Sequence, residues 1–367
     1  MRRRMLPPGT IRTRPEDFVV EEIPAYPASG EGEHVFVTIR KRSVTTLDAL
    51  KSLCRALSLD ERNAGHAGMK DRHAVTTQTL SLPFPLSRSL DEVRELSIEG
   101  IEILQVERHR NKLKPGHLLG NRFVIVVREL PEASIDEVIA KLEKAGREGV
   151  PNAFGPQRFG RSGDNAERAL AWLAGKIPGP RDRREQRLVF SALQAHLFNE
   201  VLARRIELGT WATPIAGDLL KKADTGGIFL CTDVEADRER ALRGEVSPTG
   251  PIFGAKMRWP ESEAAEIERE VLLRETGALD TFDRHRQLGE GSRRPFRLMP
   301  AELRVERLPE DARSLRIAFV LPKGGYATTV LAQAVSLDDH SARRRHPPTQ
   351  DETVQDDTPG PGLADQG

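Results

Sequence analysis

Two cysteines in 367 residues, Cys54 and Cys231, are too few for a disulfide framework or a thiolate metal cage. Each sits among apolar neighbours, so both are expected as reduced core residues. No apolar run approaches the roughly 18 residues that cross a bilayer. The start, residues 1–10, carries arginines but no apolar segment of the kind a secretory leader needs. A cytoplasmic protein without membrane attachment is expected. Nothing reads G-x-x-x-x-G-K-[ST], and the nearest glycine cluster (Gly155, Gly160, Gly163) lacks both the lysine and the strand-then-helix setting of a phosphate loop. The nine histidines never pair at metal-ligand spacing and no G-x-S-x-G elbow occurs, so zinc hydrolysis and serine-nucleophile chemistry have no local support. Carboxylates, bases and backbone remain.

Net charge is also nearly absent, +1 from 56 Lys and Arg against 55 Asp and Glu, but it is unevenly spread. The first fourteen residues hold Arg2, Arg3, Arg4, Arg12 and Arg14 and no acid, whereas Asp338–Gly367 holds seven acids against three arginines. Between Arg108 and Arg128 lie six Lys or Arg and no acid, a run that suits either a polyanion or a solvated face.

The length suggests two or three domains at about 100 to 200 residues each. Alternation predicts strands at 17–23, 34–40, 79–82, 101–108, 121–130, 303–308 and 314–321, the first two joined most simply as a hairpin. Helical spacing follows Thr45, a plausible N-cap, and Ser134–Glu137 spells a capping box before a helix that stops at Gly149. Helices are also expected at 165–174, 189–208 and 262–275, with a turn-rich stretch to about Gly254. The fold class is α+β. A discontinuous sheet domain of 1–148 plus 298–340, with a largely antiparallel mixed sheet, is interrupted by a more helical insertion at 149–297. Residues 341–367 read as a disordered acidic tail.

The segment AGMKDRHAVTTQ, residues 67–78, crowds Lys70, Asp71, Arg72 and His73 into a glycine-containing loop with neither strand nor helix period. Such a segment is either a charged surface turn or a reactive carboxylate held in a cleft. An aspartate is ionised at neutral pH without tuning, so Asp71 is able to attack an electrophilic carbon as it stands.

This segment closely resembles the signature loop of the TruD family of tRNA pseudouridine synthases. The resemblance extends in order through PEDFVVEE (15–22), GEGEH (30–34), KLKPGHLLGNRF (112–123), VPNAFGPQRFG (150–160), SALQAHLFN (191–199) and LPKGGYATTVL (321–331), and so spans about 11–335. It implies a pseudouridine-synthase-like catalytic domain with an inserted α/β TRUD-type domain. It further implies isomerisation of a tRNA uridine, usually uridine 13, with Asp71 as nucleophile and no cofactor. Covalent addition at the ribose C1′ and assistance through a glycal are both open to that carboxylate. Phe18, Phe123 and Tyr326 match positions suited to stacking on an extruded base, although Phe18 and Phe123 also suit the core of alternating strands. Asn121 matches the family's active-site asparagine, and Lys70 is placed to pair with a phosphate or a buried carboxylate.

The resemblance also implies that the insertion closes over RNA, with Arg158, Arg161, Arg181, Arg183, Arg184 and Arg187 as phosphate contacts and Phe154 and Phe159 in its core. A monomer whose partner is tRNA is expected. Ala153, His66 and Tyr326 depart from the residues usual in these blocks. The rival readings are a non-catalytic RNA-binding or chaperone protein that keeps the cleft, and a carboxylate hydrolase that releases free uracil.

Overall fold

The computed structural model describes residues 5–160 and 162–343. In the first segment the strands are β1 (Pro8–Ile11), β2 (Phe18–Pro24), β3 (His34–Arg42), β4 (Gly65–His66), β5 (Val75–Pro83), β6 (Ile101–His109) and β7 (Leu118–Val127). The helices are α1 (Thr46–Ala56), α2 (Asp91–Arg94) and α3 (Ile135–Glu148). Thr45 caps α1, its hydroxyl accepting from the Asp48 amide at 3.1 Å. Gly149 stops α3 at φ 77°, a left-handed value glycine adopts without steric cost. Ser134, however, makes no capping bond, because a 3-10 turn at Glu132–Ser134 feeds directly into α3. The expected hairpin is also absent. β5 lies between β2 and β3, parallel to the first and antiparallel to the second.

The chain then passes through β8 (Val150–Pro151) into a second lobe. This contains α4 (Asn165–Leu173), α5 (Arg183–Glu207), β9 (Leu219–Lys222), β10 (Ile228–Leu230), α6 (Val234–Leu242), β11 (Val246–Ile252), α7 (Ser262–Thr276) and β12 (Ser292–Pro295). It returns through β13 (Arg297–Leu298), which pairs antiparallel with β8, so both crossings share one two-stranded stem. α5 begins six residues before its apolar periodicity does, at the Asp182 cap, and α6 occupies part of the stretch expected as turns. Last come β14 (Ala301–Leu308), β15 (Asp311–Pro322), α8 (Ala327–Leu331), β16 (Ser336–Asp339) and α9 (His340–Arg343). α9 runs into the segment expected as tail; Arg2–Arg4, Arg161 and residues 344–367 lie outside the described residues.

The main sheet runs β14-β15-β7-β2-β5-β3-β6, with β4 against β5, and it is antiparallel except at β2–β5, as the α+β reading expects. Directly paired residues point to the same face. Val20 pairs with Phe123 and Thr76, and Val37 with Leu80, so one face carries two helix groups. α3 and α8 cover Phe18, Val20, Phe123, Ile125, Ile317 and Phe319, and α1 covers Val35, Val37, Ile39, Leu80 and Leu82. Between the two groups the middle of that face is left for the loop of residues 67–74. The 67–78 segment is therefore loop only as far as residue 74, since Val75–Gln78 already belongs to β5.

The second lobe has its own core around Phe190, Leu193, Phe198, Phe253 and Phe296, with Ala153, Phe154 and Trp172 packed at its edge. Cys54 and Cys231 are both buried and unbonded, and burial pushes their thiols up to about 11 and about 12. Within that lobe Arg205, 2% exposed, is held by Asp218 through bonds of 2.8 and 2.9 Å. D218A is expected to leave this guanidinium uncompensated at a cost of about 3–5 kcal/mol. All three tryptophans (Trp172, Trp211, Trp259) lie in this lobe, so their fluorescence in a urea titration reads it selectively. An unshifted midpoint would contradict the assignment.

Candidate active site

The loop carrying Asp71 is fixed at five points. The Ala67 carbonyl accepts from the Gly116 amide at 2.8 Å. Gln78, on β5, donates through Nε2 to the Gly68 carbonyl at 3.3 Å. The buried Thr46 hydroxyl accepts from the Lys70 amide and donates to Gln78 Oε1, both at 2.8 Å. Lys70 turns inward and its ammonium meets the Glu22 carboxylate, the two side chains 6% and 2% exposed. Lys41 Nζ, also buried, donates to the Asp71 carbonyl at 3.0 Å and to the Val44 carbonyl at 2.7 Å. Met69 points outward between these anchors.

With its backbone pinned, Asp71 presents an exposed carboxylate. Its Oδ2 accepts from Arg12 Nη2 at 2.6 Å, and among the described residues Oδ1 has no hydrogen-bond partner. The Arg12 guanidinium lies 3.8 Å above the Phe18 ring, and its Nη1 reaches Asp339. This geometry depends on β1 and β16 pairing in parallel, which sets Ile11 opposite Asp339.

The expected site residues are gathered unevenly. Asn121 pairs with Glu22 across β2–β7 and with Leu321 across β7–β15. Its Oδ1 is buried without a hydrogen-bond partner among the described residues. Of the two alternatives for Lys70, the structure shows the buried carboxylate. Phe18 and Phe123 are 2% and 7% exposed and pack edge-to-face at 6.3 Å, with Phe123 against Phe319 at 5.6 Å. As it stands Phe18 forms the floor under Arg12, and Phe123 packs between Phe18 and Phe319. Tyr326 is more than a third exposed in the turn after β15. Beside it Arg294 donates to Asn152 Oδ1 at 2.6 Å and the Gly324 carbonyl at 3.3 Å, joining that turn to the stem of the second lobe. Burial pushes the Arg294 guanidinium down to about 10, with Tyr326 opposing the shift and Arg158 adding to it.

The basic run from Arg108 to Arg128 is mostly consumed by the fold. Arg108 caps the Phe84, Pro85 and Arg88 carbonyls, Arg110 pairs with Glu31, Lys112 bonds the Arg62 carbonyl, Arg122 pairs with Glu302, and Arg128 grips Asp17. By contrast Arg181, Arg183, Arg184 and Arg187 are exposed and make no ion pair among the described residues.

Two site residues that motif reading overlooks nevertheless carry a signal in the sequence. Lys41 continues the buried phase of Val35, Val37 and Ile39, and Glu22 that of Phe18 and Val20. A charge at the end of an apolar face marks a buried partner. Arg12 and Asp339 carry none, because they meet only through pairing of the chain's two ends.

Burial lowers the Lys41 ammonium from 10.5 to about 8, the Asp71 charge opposing and the Lys70 charge reinforcing it. Between about 8 and 10.5 the unfolded chain then holds more protons than the folded one, so this lysine makes stability rise with pH across that window and fall again on acidification. Lysine side-chain NMR is expected to find one resonance, absent in K41M, titrating near pH 8. Titration of Lys41 together with the surface lysines would contradict its burial.

The model of the family tRNA pseudouridine synthase D (TruD) matches residues 7–176 and 181–334. A tRNA pseudouridine synthase D of Anaeromyxobacter sp. (strain Fw109-5) is 47% identical over 331 residues, 89% of this chain and 92% of that protein. One of Thermus thermophilus is 41% identical over 334 residues, covering 90% of each. Among solved structures, a TruD protein of Methanosarcina mazei superposes with a TM-score of 0.71 at 25% identity, over 90% of this chain and 94% of that one. A family model that matches most of the chain, with relatives 47% and 41% identical over 89% and 90% of it, places the chain in the tRNA pseudouridine synthase D (TruD) family.

Proposed function

We propose that this protein isomerises uridine to pseudouridine in tRNA, at position 13, with Asp71 as the nucleophile and without a cofactor. The observation that carries the reading is the Asp71 carboxylate, restrained through one oxygen by Arg12 and, among the described residues, unpartnered at the other. A nucleophile must be both ionised and held; the loop anchors supply the holding, so that little ordering remains to be done when substrate arrives. Asp71 Oδ1 acts at the ribose C1′, the N1–C1′ bond breaks, and the uracil turns in place. C5 then bonds to C1′ as C1′ parts from Asp71 Oδ1 and the carboxylate is restored; the C5 proton leaves to solvent and N1 gains one from it. The same atoms enter and leave, so the balance calls for no oxidant, reductant or group donor.

The base must leave its stack to reach Asp71, at a cost of a few kcal/mol. The unpartnered Asn121 Oδ1 is suited to accept from a uracil N–H once the base is in place. Tyr326 is the exposed aromatic fit to stack on it, while Phe18 and Phe123 support the floor. The second lobe supplies phosphate contacts. Arg181, Arg183, Arg184 and Arg187 crowd the start of α5, where the helix dipole disfavours cations, which argues for an anion arriving from outside.

Purified protein with tRNA carrying [5-³H]uridine, and no added nucleotide or metal, is expected to release tritium, and D71N to release none while binding tRNA within a few-fold of wild type. Turnover by D71N would remove Asp71 from the role, and free uracil would favour the hydrolase. Mapping the product is expected to place it at nucleotide 13; another position would discard that part of the reading. Replacing Arg181, Arg183, Arg184 and Arg187 together by glutamine is expected to flatten the salt dependence of tRNA affinity by about 0.7–0.9 in log–log slope for each arginine that meets a phosphate. An unchanged slope would return them to the solvated surface.

A further inference from the structure

We propose that Asp339 is a positioning residue for Asp71, acting through Arg12, and that it fixes how many oxygens of the nucleophile the guanidinium occupies. The proposal rests on the reading of Asp71 as the nucleophile. Asp339 lies past Ala334, where the match to the family ends.

An arginine beside a single carboxylate tends to bind it as a fork, two N–H groups to two oxygens. Here the fork is divided. Nη1 is taken by Asp339, so Asp71 receives only Nη2, through Oδ2, and Oδ1 is left for the substrate. Asp339 is itself fixed: its Oδ1 accepts from the Ser341 amide at 2.9 Å, and β16 is registered against β1 from Pro8–Ser336 to Ile11–Asp339. The Ser336 amide adds a bond to the Pro7 carbonyl at 2.8 Å.

Arg12 is constrained from its other sides as well. Its side chain is 6% exposed, lies over the Phe18 ring, and leaves Nε buried without a partner among the described residues. Its backbone stands at φ 59°, a left-handed value that side-chain-bearing residues adopt only where the surroundings enforce it, commonly at functional sites. That turn at the end of β1 carries the guanidinium to the point between the two carboxylates. Without the Asp339 charge, both guanidinium N–H groups become available to Asp71, its second oxygen is drawn into the fork, and the lone pair that must reach C1′ is engaged.

The test is D339N, compared with wild type, D339E and D71N in the tritium-release assay. Asparagine keeps the shape and the oxygen that accepts from Ser341, and replaces the oxygen facing Arg12 by an amide NH2, so that neither the charge nor an acceptor is left for Nη1. D339N is expected to lower kcat by about ten- to a hundred-fold, in the range that misplacement of a reacting group produces. KM for tRNA is expected to stay within two-fold and the thermal midpoint within a few degrees, and D339E, which returns the charge, to recover most of the lost kcat. Wild-type kcat in D339N would overturn the proposal, as would a loss that D339E leaves unrepaired. Tritium release by D71N would instead overturn the underlying reading of the nucleophile, whatever D339N does.

Discussion

A guanidinium as deeply buried as that of Arg12 has to find its counter-charge inside the fold, because taking it out of water unpaired costs several kcal/mol. Two carboxylates meet that demand, and they come from distant parts of the chain. Asp71 arrives on the loop between β4 and β5, Asp339 on the strand that ends the sheet domain. The parallel pairing of β1 with β16 thereby does more than close the chain ends together. It brings a cation to the Asp71 carboxylate, which the rest of the architecture leaves exposed.

Around that cation, anchoring and reactivity are assigned to different atoms. Lys41, Thr46 and Gln78 hold the main chain of the 67–74 loop, and Glu22 holds Lys70, the neighbour of Asp71. None of these takes the Asp71 side chain. Preorganisation of this kind settles the loop in advance without engaging the Asp71 carboxylate. The same division appears between lobes. The sheet domain carries the Asp71 carboxylate, while the insertion, hung on the β8–β13 stem and tied to the Gly324–Tyr326 turn by Arg294, carries exposed arginines.

Much of this was readable from residues alone. Alternation located β2, β3, β6, β7, β14 and β15 within a few residues, and the change of texture at Gly149 marks where the stem begins. Periodicity could not show that β5 slips between β2 and β3, because strand order is a tertiary choice made after the strands exist. It also missed the start of β5, whose Thr-rich residues alternate in burial but not in apolarity. Motifs located Asp71, Asn121 and Lys70, yet could not say that Lys70 faces a carboxylate. The Arg12–Asp339 contact joins residues 327 positions apart, one from a basic stretch and one from an acidic stretch that read from composition as terminal charge.

The central claim is that Asp71 Oδ1 is the reacting atom and Oδ2 the restrained one. A crystal structure of the protein with a tRNA fragment bound tests it most directly. The account requires the C1′ of the target nucleotide to lie about 3–3.5 Å from Asp71 Oδ1, with Arg12 still on Oδ2 and Asp339 still on Arg12. A target ribose seated away from this carboxylate, or an Arg12 that has left Asp339 to fork both Asp71 oxygens in the bound state, would contradict it.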